Sequence, residues 1–192
     1  LVVGVELLSR IVDWSDRNSC VLFGDAAGAV VMGPSDDGER GLISTHLHTD
    51  GSQTGILCIP GGGSARPLDE EGVRQKLNKV AMQGREVYRF AVRSLTDAVG
   101  EALAHNNLTA DQIDHVIAHQ ANLRIIEAVL GRCGLPLSKA WINIDRYGNT
   151  SSASLPMTLD EANRAGRLKR GDTIMMMAIG AGMSWGSGVI RW

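Results

Sequence analysis

Aromatic residues are scarce in this chain, and neither sign of charge dominates it. Only 4% of its 192 residues are Phe, Trp or Tyr, and 19 basic against 21 acidic residues leave a formal net charge of −2. Nucleic-acid-binding domains usually carry a clear basic excess, so this balance argues against that class. A hydrophobic fraction of 44% with 21% charged residues is ordinary for a folded globular domain and argues against disorder.

Cysteine and long apolar segments are also lacking. Three cysteines without a CxxC pair argue against a disulfide framework and against a zinc site, and they fit a reducing compartment. No apolar run approaches the roughly eighteen residues that a membrane-spanning helix needs. We therefore expect a cytoplasmic protein with no membrane and no nucleic-acid partner.

The chain begins inside an apolar run, LVVGVELLSR, with neither an initiator Met nor a signal-peptide layout. Natural chains rarely begin in this way. We therefore expect this sequence to begin in the middle of a longer protein.

Residue periodicity predicts alternating strands and helices. Residues 2–6 are typical of a strand, and residues 20–34 predict two adjacent strands that end at a turn-rich break near residue 35. A further strand is expected at 41–48, and the Gly, Pro and charge content of 50–80 predicts a long surface excursion.

The second part of the chain has clearer patterns. Apolar residues at three- and four-residue steps predict a helix over 84–105 that buries one face. The further expectations are a capping box at 109–112, a strand ending at His119, a helix through Ile126, a short strand at 141–144, a helix around 155–165 and a strand at 173–179. This alternation predicts a layered α/β domain whose sheet is largely covered.

Two polar residues lie at loop-like breaks in this pattern. In HVIAHQANLRII, a short apolar run ends at His119, and the carboxyl ends of strands are where open α/β sheets hold ligands. In DRYGNTSSASLP, Gly148 supplies a turn, and Asn149 precedes a Ser/Thr cluster typical of a helix start. Each residue alone fits a structural role. Together they predict two neutral hydrogen-bond donors that converge.

A glycine-rich turn near the end of the chain is a third candidate element. In AIGAGMSWGSGVIRW, Gly180, Ala181 and Gly182 carry little side-chain bulk, so a backbone N–H can approach a bound carbonyl. The alternative is a plain turn between two packed strands.

These three strings together closely resemble the carboxy-terminal part of β-ketoacyl-acyl-carrier-protein synthase III, a condensing enzyme of the thiolase-like superfamily. The resemblance implies a thiolase-like layered α-β-α-β-α fold. Residues 1–35 would be the last strands of the N-terminal half, and residues 36–192 the C-terminal domain that carries the His and Asn of the catalytic triad. The nucleophilic Cys of the family lies outside this chain, and Cys20, Cys58 and Cys133 do not match its motif.

The resemblance also assigns roles. His119 and Asn149 would activate a malonyl thioester, and the Ala181 N–H would help to hold the oxyanion, although the family usually has Gly at that position. Ile179 lies where the family commonly has an aromatic residue. The implied tunnel for coenzyme A or the pantetheine arm is lined by Met82, Gly84, Tyr88, Asn122 and Arg124.

A basic mouth for the acyl carrier protein is implied at Arg89, Arg124 and Arg132. Arg85, Arg89 and Arg93 share one face of the predicted long helix, which equally fits a solvated face.

The resulting prediction is an acyltransferase that condenses acyl-CoA with malonyl-acyl carrier protein to initiate fatty acid biosynthesis. It would need no metal or redox cofactor, would work as a homodimer, and would require the N-terminal half from the same or another chain. The alternatives are a polyketide starter enzyme or acyltransferase of the same superfamily, and a catalytically incomplete fragment or assembly module.

Overall fold

The computed structural model describes residues 1–36 and 38–192. Its strands fall into one four-stranded sheet and two two-stranded sheets. In chain order the strands are β1 (Val2–Leu7), β2 (Asp25–Val30), β3 (Gly41–Thr49), β4 (Leu57–Cys58), β5 (Ala81–Met82), β6 (His115–Ala118), β7 (Thr173–Gly180) and β8 (Ser184–Arg191).

Five α-helices accompany the strands in the described residues: α1 (Glu70–Arg74), α2 (Gly84–His105), α3 (Leu123–Arg132), α4 (Ile144–Tyr147) and α5 (Ser154–Arg164). Short 3-10 helices complete the connections, among them Ala110–Gln112 and Ser151–Ala153. None of the helices in these residues is long and apolar enough to cross a membrane.

The four-stranded sheet has the order β3-β8-β7-β6, with β6 and β7 parallel and the other pairs antiparallel. Alternate residues of its strands enter two separate apolar clusters. Val116 and Met175 pack with α2 and α3, whereas Ile117 and Ile174 pack with Ala162 of α5. Because strand side chains alternate between faces, this division covers both faces of the inner strands and confirms the layered α/β prediction.

The long helix α2 has the predicted bounds. Its buried positions recur at helical spacing and include Ala91, Leu95 and Val99, which pack in one apolar cluster with residues of the sheet and α3. The Ser187 hydroxyl of β8 donates a hydrogen bond of 2.6 Å to the carbonyl oxygen of Ala98. These contacts hold α2 against the four-stranded sheet.

Strands β1 and β2 form their own antiparallel pair, which packs on the 3-10 turn at 151–153 and on α5. The approach is close, since a Cβ on Gly4 would collide with the Ser152 carbonyl and one on Gly28 would lie 2.8 Å from the Pro156 ring. The division of the chain near residue 35 stays a prediction.

Two predicted strand assignments are wrong. The segment 20–34 contains one strand, β2, because residues 20–22 form turns and Phe23 makes only an isolated bridge with Asn149. Residues 141–143 form no strand and α4 begins at Ile144, although Ala140 bridges Val116. In both places, hydrogen bonds to side chains and loops satisfy the backbone N–H and C=O groups. The apolar pattern had suggested the regular backbone pairing of a β-sheet instead.

The excursion at 50–80 is confirmed in outline but contains short elements. Residues Gly51–Ile56 form a 3-10 helix whose N-cap Asp50 accepts a hydrogen bond from the Ser52 N–H. Strand β4 and helix α1 follow, and the rest of the segment is turns and loops.

Gly24→Ala is expected to destabilise the protein. Its new Cβ would collide with the Tyr147 carbonyl oxygen, which would separate the start of β2 from the loop that holds Asn149. We expect the free energy of unfolding in urea to fall by about 1–3 kcal/mol. Gly33→Ala is the matched control, because a Cβ there meets nothing within 4 Å. Equal unfolding midpoints for the two variants would contradict the close approach.

Candidate active site

His119 lies immediately beyond the carboxyl end of β6. Its backbone N–H donates a hydrogen bond of 2.8 Å to the Met177 carbonyl of β7, which extends the parallel pairing by one residue. Its ring Nδ1 lies 2.5 Å from the Ser154 hydroxyl oxygen at the start of α5. The imidazole is thus tied both to the sheet and to a helix on the opposite side of the site.

The surroundings of Ser154 favour one tautomer of His119. The buried Gln120 N–H lies 3.3 Å from the Ser154 oxygen and can only donate to it. Among the described residues, Nδ1 of His119 is the acceptor within reach of the Ser154 hydroxyl proton, and we assign this hydrogen bond to it. A neutral ring with an accepting Nδ1 carries its own proton on Nε2.

Burial lowers the pKa of His119 to about 4, and the nearby carboxylate of Glu6 opposes this effect. The imidazole is therefore neutral at physiological pH. A neutral ring with a proton on Nε2 is a hydrogen-bond donor that adds no positive charge to the site.

The fully buried Gln120 side chain joins the end of β6 to the following loop. Its Nε2 donates to the carbonyls of Ala118 and Trp141, at 3.0 and 3.2 Å, and its Oε1 accepts from the Asn143 N–H at 3.2 Å. These bonds pair both polar atoms of the buried Gln120 amide.

Asn149 is held by backbone and side-chain contacts on both sides. Its N–H donates 2.7 Å to the Leu22 carbonyl, and its own carbonyl accepts from the Gly24 N–H at 2.9 Å. The side-chain Oδ1 accepts from the Ser151 N–H at 2.9 Å. Since Oδ1 is engaged, Nδ2 is the end of the amide left to donate, and it has no hydrogen-bond partner among the residues described.

The loop that precedes Asn149 is organised by one carboxylate, Glu161 of α5. Its two oxygens accept four hydrogen bonds between 2.8 and 3.1 Å, from the side chains of Trp141, Asn143, Arg146 and Tyr147. Burial alone would raise the pKa of Glu161, but these partners hold the pKa below its usual value. Glu161 thereby replaces a β-ladder as the organiser of residues 141–147.

Ala181 occupies the turn between β7 and β8. The turn is anchored by Met183, whose N–H and carbonyl exchange hydrogen bonds of 3.0 and 2.8 Å with the backbone of Asp50. Across residues 1–36 and 38–192, the Ala181 N–H has no hydrogen-bond acceptor. A free backbone donor at this turn is what the sequence predicts for an oxyanion site.

One cavity of about 820 Å³ brings these groups together. His119, Asn149 and Ala181 all line it, and Ile179 lies beside them. Most of the predicted tunnel and docking residues line the same cavity, namely Met82, Gly84, Tyr88, Arg89, Asn122 and Arg124. Arg132 does not line it and is exposed at the end of α3.

Two of the lining residues also have a structural explanation. Asn122 caps α3, and its Oδ1 accepts from the Arg124 N–H at 2.9 Å. Arg89 forms an exposed ion pair of 2.7 Å with Glu86.

Several lining residues are absent from the sequence prediction of the site. Arg85 lines the cavity beside Arg89, and its position on the same helix face was the available signal. Leu22 and Phe23 reach the cavity from the turn before β2, and no motif marked them. The positioning residues Ser154 and Glu161 also went unrecognised, because only the folded structure brings them to the site.

The cysteines differ in position. Cys58 lies in β4 and lines the cavity, whereas Cys20 and Cys133 do not. Burial raises the pKa of the Cys133 thiol, and Asp97 adds to this effect. Within 1–36 and 38–192, the structure brings together no group of three His, Cys, Asp or Glu side chains that could hold a metal ion.

The fold is that of the thiolase-like α/β proteins. The structure matches that of 3-oxoacyl-[acyl-carrier-protein] synthase III from Aquifex aeolicus with a TM-score of 0.87 and 40% identity, over 99% of this chain and 56% of that one. The priming β-ketosynthase of the R1128 polyketide pathway matches with a TM-score of 0.85 and 33% identity, over 98% of this chain and 55% of that one.

Sequence comparison identifies the family. The profile "3-Oxoacyl-[acyl-carrier-protein (ACP)] synthase III C terminal" matches residues 103–192, and the profile "3-Oxoacyl-[acyl-carrier-protein (ACP)] synthase III" matches residues 1–51. β-Ketoacyl-[acyl-carrier-protein] synthase III of Caldanaerobacter subterraneus is 48% identical over 192 residues, which are all of this chain and 58% of that protein. The chain belongs to the β-ketoacyl-acyl-carrier-protein synthase III family, and it spans somewhat more than half the length of such relatives.

The neutral state of His119 gives the protein a defined acid sensitivity. Its pKa is lowered to about 4 in the folded state, whereas a histidine in an unfolded chain titrates near 6.5. As the pH falls below about 6.5, His119 is protonated in the unfolded state before it is protonated in the folded state. Protonation stabilises the unfolded state, so the free energy of unfolding decreases. Between pH 7.5 and pH 5, the protein should lose about 2 kcal/mol more unfolding free energy than His119→Gln does.

Urea unfolding of both proteins at the two pH values measures this difference. Imidazole ¹⁵N NMR, with the resonance assigned by His119→Gln, should show a neutral Nε2–H ring throughout. A His119 resonance that titrates near pH 6.5 would refute the assignment.

Proposed function

We propose that this chain supplies the hydrogen-bond donors of the active site of a β-ketoacyl-acyl-carrier-protein synthase III type condensing enzyme. The complete enzyme would transfer an acyl group from coenzyme A to a cysteine and condense it with malonyl-acyl carrier protein, which initiates fatty acid biosynthesis. The observation that carries this proposal is the neutral, partly buried His119 with a donating Nε2, which lines the same cavity as Asn149 with its available Nδ2.

These donors suit the decarboxylation of a malonyl thioester. The bond to the carboxylate carbon breaks and CO₂ leaves, and the electron pair moves into the thioester as an enolate. Two neutral donors aimed at the thioester oxygen stabilise the negative charge that develops there. The enolate carbon then attacks the acyl thioester, a carbon–carbon bond forms, and the cysteine departs as a thiolate.

The Ala181 N–H is assigned to the second thioester, that of the acyl group on the cysteine. It lies on the same cavity as the two side-chain donors and has no other acceptor among the described residues. One donor set would then serve decarboxylation and the other the tetrahedral intermediate of condensation. This division needs neither a metal nor a redox cofactor.

The nucleophilic cysteine is assigned to the part of the relatives that this chain does not match, in the same polypeptide or in another. Cys58 is the alternative within the chain because it lines the cavity. It lies inside a short strand, however, and no basic side chain among the described residues is hydrogen-bonded to it.

The basic residues at the cavity favour a phosphate-bearing substrate. Arg85, Arg89 and Arg124 line it together, and arginine pairs well with phosphate oxygens. We assign Arg124 to the pantetheine entrance of acyl-CoA and acyl carrier protein. Arg89 and Arg132 are assigned to docking of the carrier protein, with Arg132 outside the cavity. A homodimer in the cytoplasm completes this proposal.

A second function on the same scaffold is a polyketide starter enzyme. The similarity to the R1128 priming β-ketosynthase favours it as the alternative. Product analysis with acetyl-CoA, longer acyl-CoAs and malonyl-acyl carrier protein distinguishes the two. A fatty-acid enzyme yields a short β-ketoacyl carrier protein from acetyl-CoA, whereas a starter enzyme prefers its own priming acyl group.

His119→Ala and Asn149→Ala in the complete enzyme should each reduce CO₂ release from malonyl-acyl carrier protein by about a hundredfold or more. Loss of one donor to a developing oxyanion has an effect of this size. Release of ¹⁴CO₂ from labelled substrate measures it directly. His105→Ala and Asn163→Ala are matched controls at exposed positions and should remain active. Near-normal CO₂ release from either site variant would reject the proposed roles.

The chain by itself should not form a stable acyl-enzyme. Intact-mass measurement after incubation with acetyl-CoA is expected to show the unmodified mass, both for the chain and for Cys58→Ser. An added acyl group that disappears in Cys58→Ser would make Cys58 the nucleophile and overturn this assignment.

A further inference from the structure

A carboxylate outside the cavity reaches the turn that follows Asn149. Glu6 of β1 is partly buried, and its Oε1 accepts hydrogen bonds from the Ser152 hydroxyl at 2.7 Å and from the Ser152 N–H at 3.3 Å. Strand β1 runs so close to this turn that a Cβ on Gly4 would collide with the Ser152 carbonyl. The contact therefore joins the β1–β2 sheet to the turn that leads into α5.

The turn held by Glu6 has an unfavourable backbone conformation. Ser151 has a φ of +48°, in the left-handed region that residues other than Gly and Asn seldom adopt. Such a residue costs free energy of about 1–3 kcal/mol and persists only where its surroundings hold it. The two hydrogen bonds from Ser152 to Glu6 act on the very next residue.

The conformation of Ser151 matters because its N–H sets the direction of Asn149. That N–H donates to Oδ1 of Asn149 and leaves Nδ2 to donate into the cavity. If the turn relaxed, Ser151 would lose this geometry and the amide could rotate. Glu6 itself is not among the residues that line the cavity, so it would act through the turn and not on a substrate.

The charge of Glu6 fits the same arrangement. Burial by itself would raise the pKa of Glu6, but hydrogen bonds from the hydroxyls of Ser152 and Ser151 hold this pKa below its usual value. The carboxylate is therefore ionised and can only accept hydrogen bonds. Its field also opposes the lowering of the His119 pKa. One side chain thus contacts the Asn149 turn and influences the His119 ring.

From these contacts we infer that Glu6 is a positioning residue, which holds the turn at Ser151 and Ser152 so that the Asn149 amide donates into the cavity. This inference rests on the proposed function, since it assigns the amide a role in activating a thioester. It also makes a structural statement that is independent of activity, namely that the orientation of the Asn149 amide depends on Glu6.

The kinetic test compares Glu6→Ala, Glu6→Gln and Ser152→Ala in the complete enzyme. Glu6→Ala should lower kcat for malonyl decarboxylation about tenfold with little change in KM, since a small misplacement of a donor impairs the reaction more than binding. Glu6→Gln keeps an accepting oxygen and should restore most of the rate. Ser152→Ala should also lower kcat, and the double variant with Glu6→Ala should be no slower than the slower single variant.

The outcomes separate the two proposals. An inactive wild-type enzyme defeats the proposed function itself. An active wild type with unchanged kcat in Glu6→Ala, or a Glu6→Gln as slow as Glu6→Ala, defeats the positioning role alone. If Glu6→Ala does not fold, Glu6→Gln and Ser152→Ala decide the matter: a fast Glu6→Gln with a slow Ser152→Ala supports the inference, and any other pattern overturns it.

The side-chain amide resonance of Asn149 gives a readout without turnover. It should move in the Glu6→Ala spectrum and stay near its original position in Glu6→Gln. Glu70→Ala, in the exposed first turn of α1, is the matched control and should leave the resonance unchanged. An Asn149 resonance indifferent to Glu6→Ala would contradict the inference whatever the activity.

Discussion

The hydrogen bond between Ser154 and His119 is the constraint on which the rest of the site depends. It connects the end of a strand to the first turn of a helix on the other side of the sheet, and it leaves Nε2 of the imidazole to carry the proton. Without it, burial would still keep the ring neutral, but the ring could choose either tautomer. β6 and α5 must therefore be correctly packed against each other before His119 can act as a neutral donor.

Asn149 depends on a different and less regular set of contacts. Residues 141–147 lack strand structure, and the Glu161 carboxylate gathers four of their side chains onto α5. The asparagine backbone is then clamped by Leu22 and Gly24, which belong to the segment before β2. Because α5 carries both Ser154 and Glu161, the same helix sets the position of both predicted donors.

Sequence patterns predicted what depends on periodic burial. The bounds of α2 and the strand ending at His119 follow from apolar spacing, because the buried positions of each element recur at its own structural period. The pattern was wrong at 141–144, where Trp141 and Ile142 suggested a strand but one distant carboxylate organises the loop. Local sequence motifs predicted the site residues His119, Asn149 and Ala181. Glu6, Ser154 and Glu161, by contrast, depend on contacts between residues 14 to 146 positions apart. Such contacts leave no local signature in a single sequence.

The same long-range contacts explain why the site cannot be divided along the chain. One family profile ends at residue 51 and the other begins at 103, yet the cavity wall includes α2 residues from the unmatched segment between them. Asn149, from the second matched segment, takes its backbone partners from the first. A change at Gly24 therefore reaches Asn149 through one hydrogen bond, and a change at Glu6 reaches it through the adjacent residues Ser152 and Ser151. With the role that we infer for Glu6, the geometry of the donors depends on Glu6 and Gly24 as well as on the two donors themselves, since their contacts hold the backbone and the side-chain amide of Asn149.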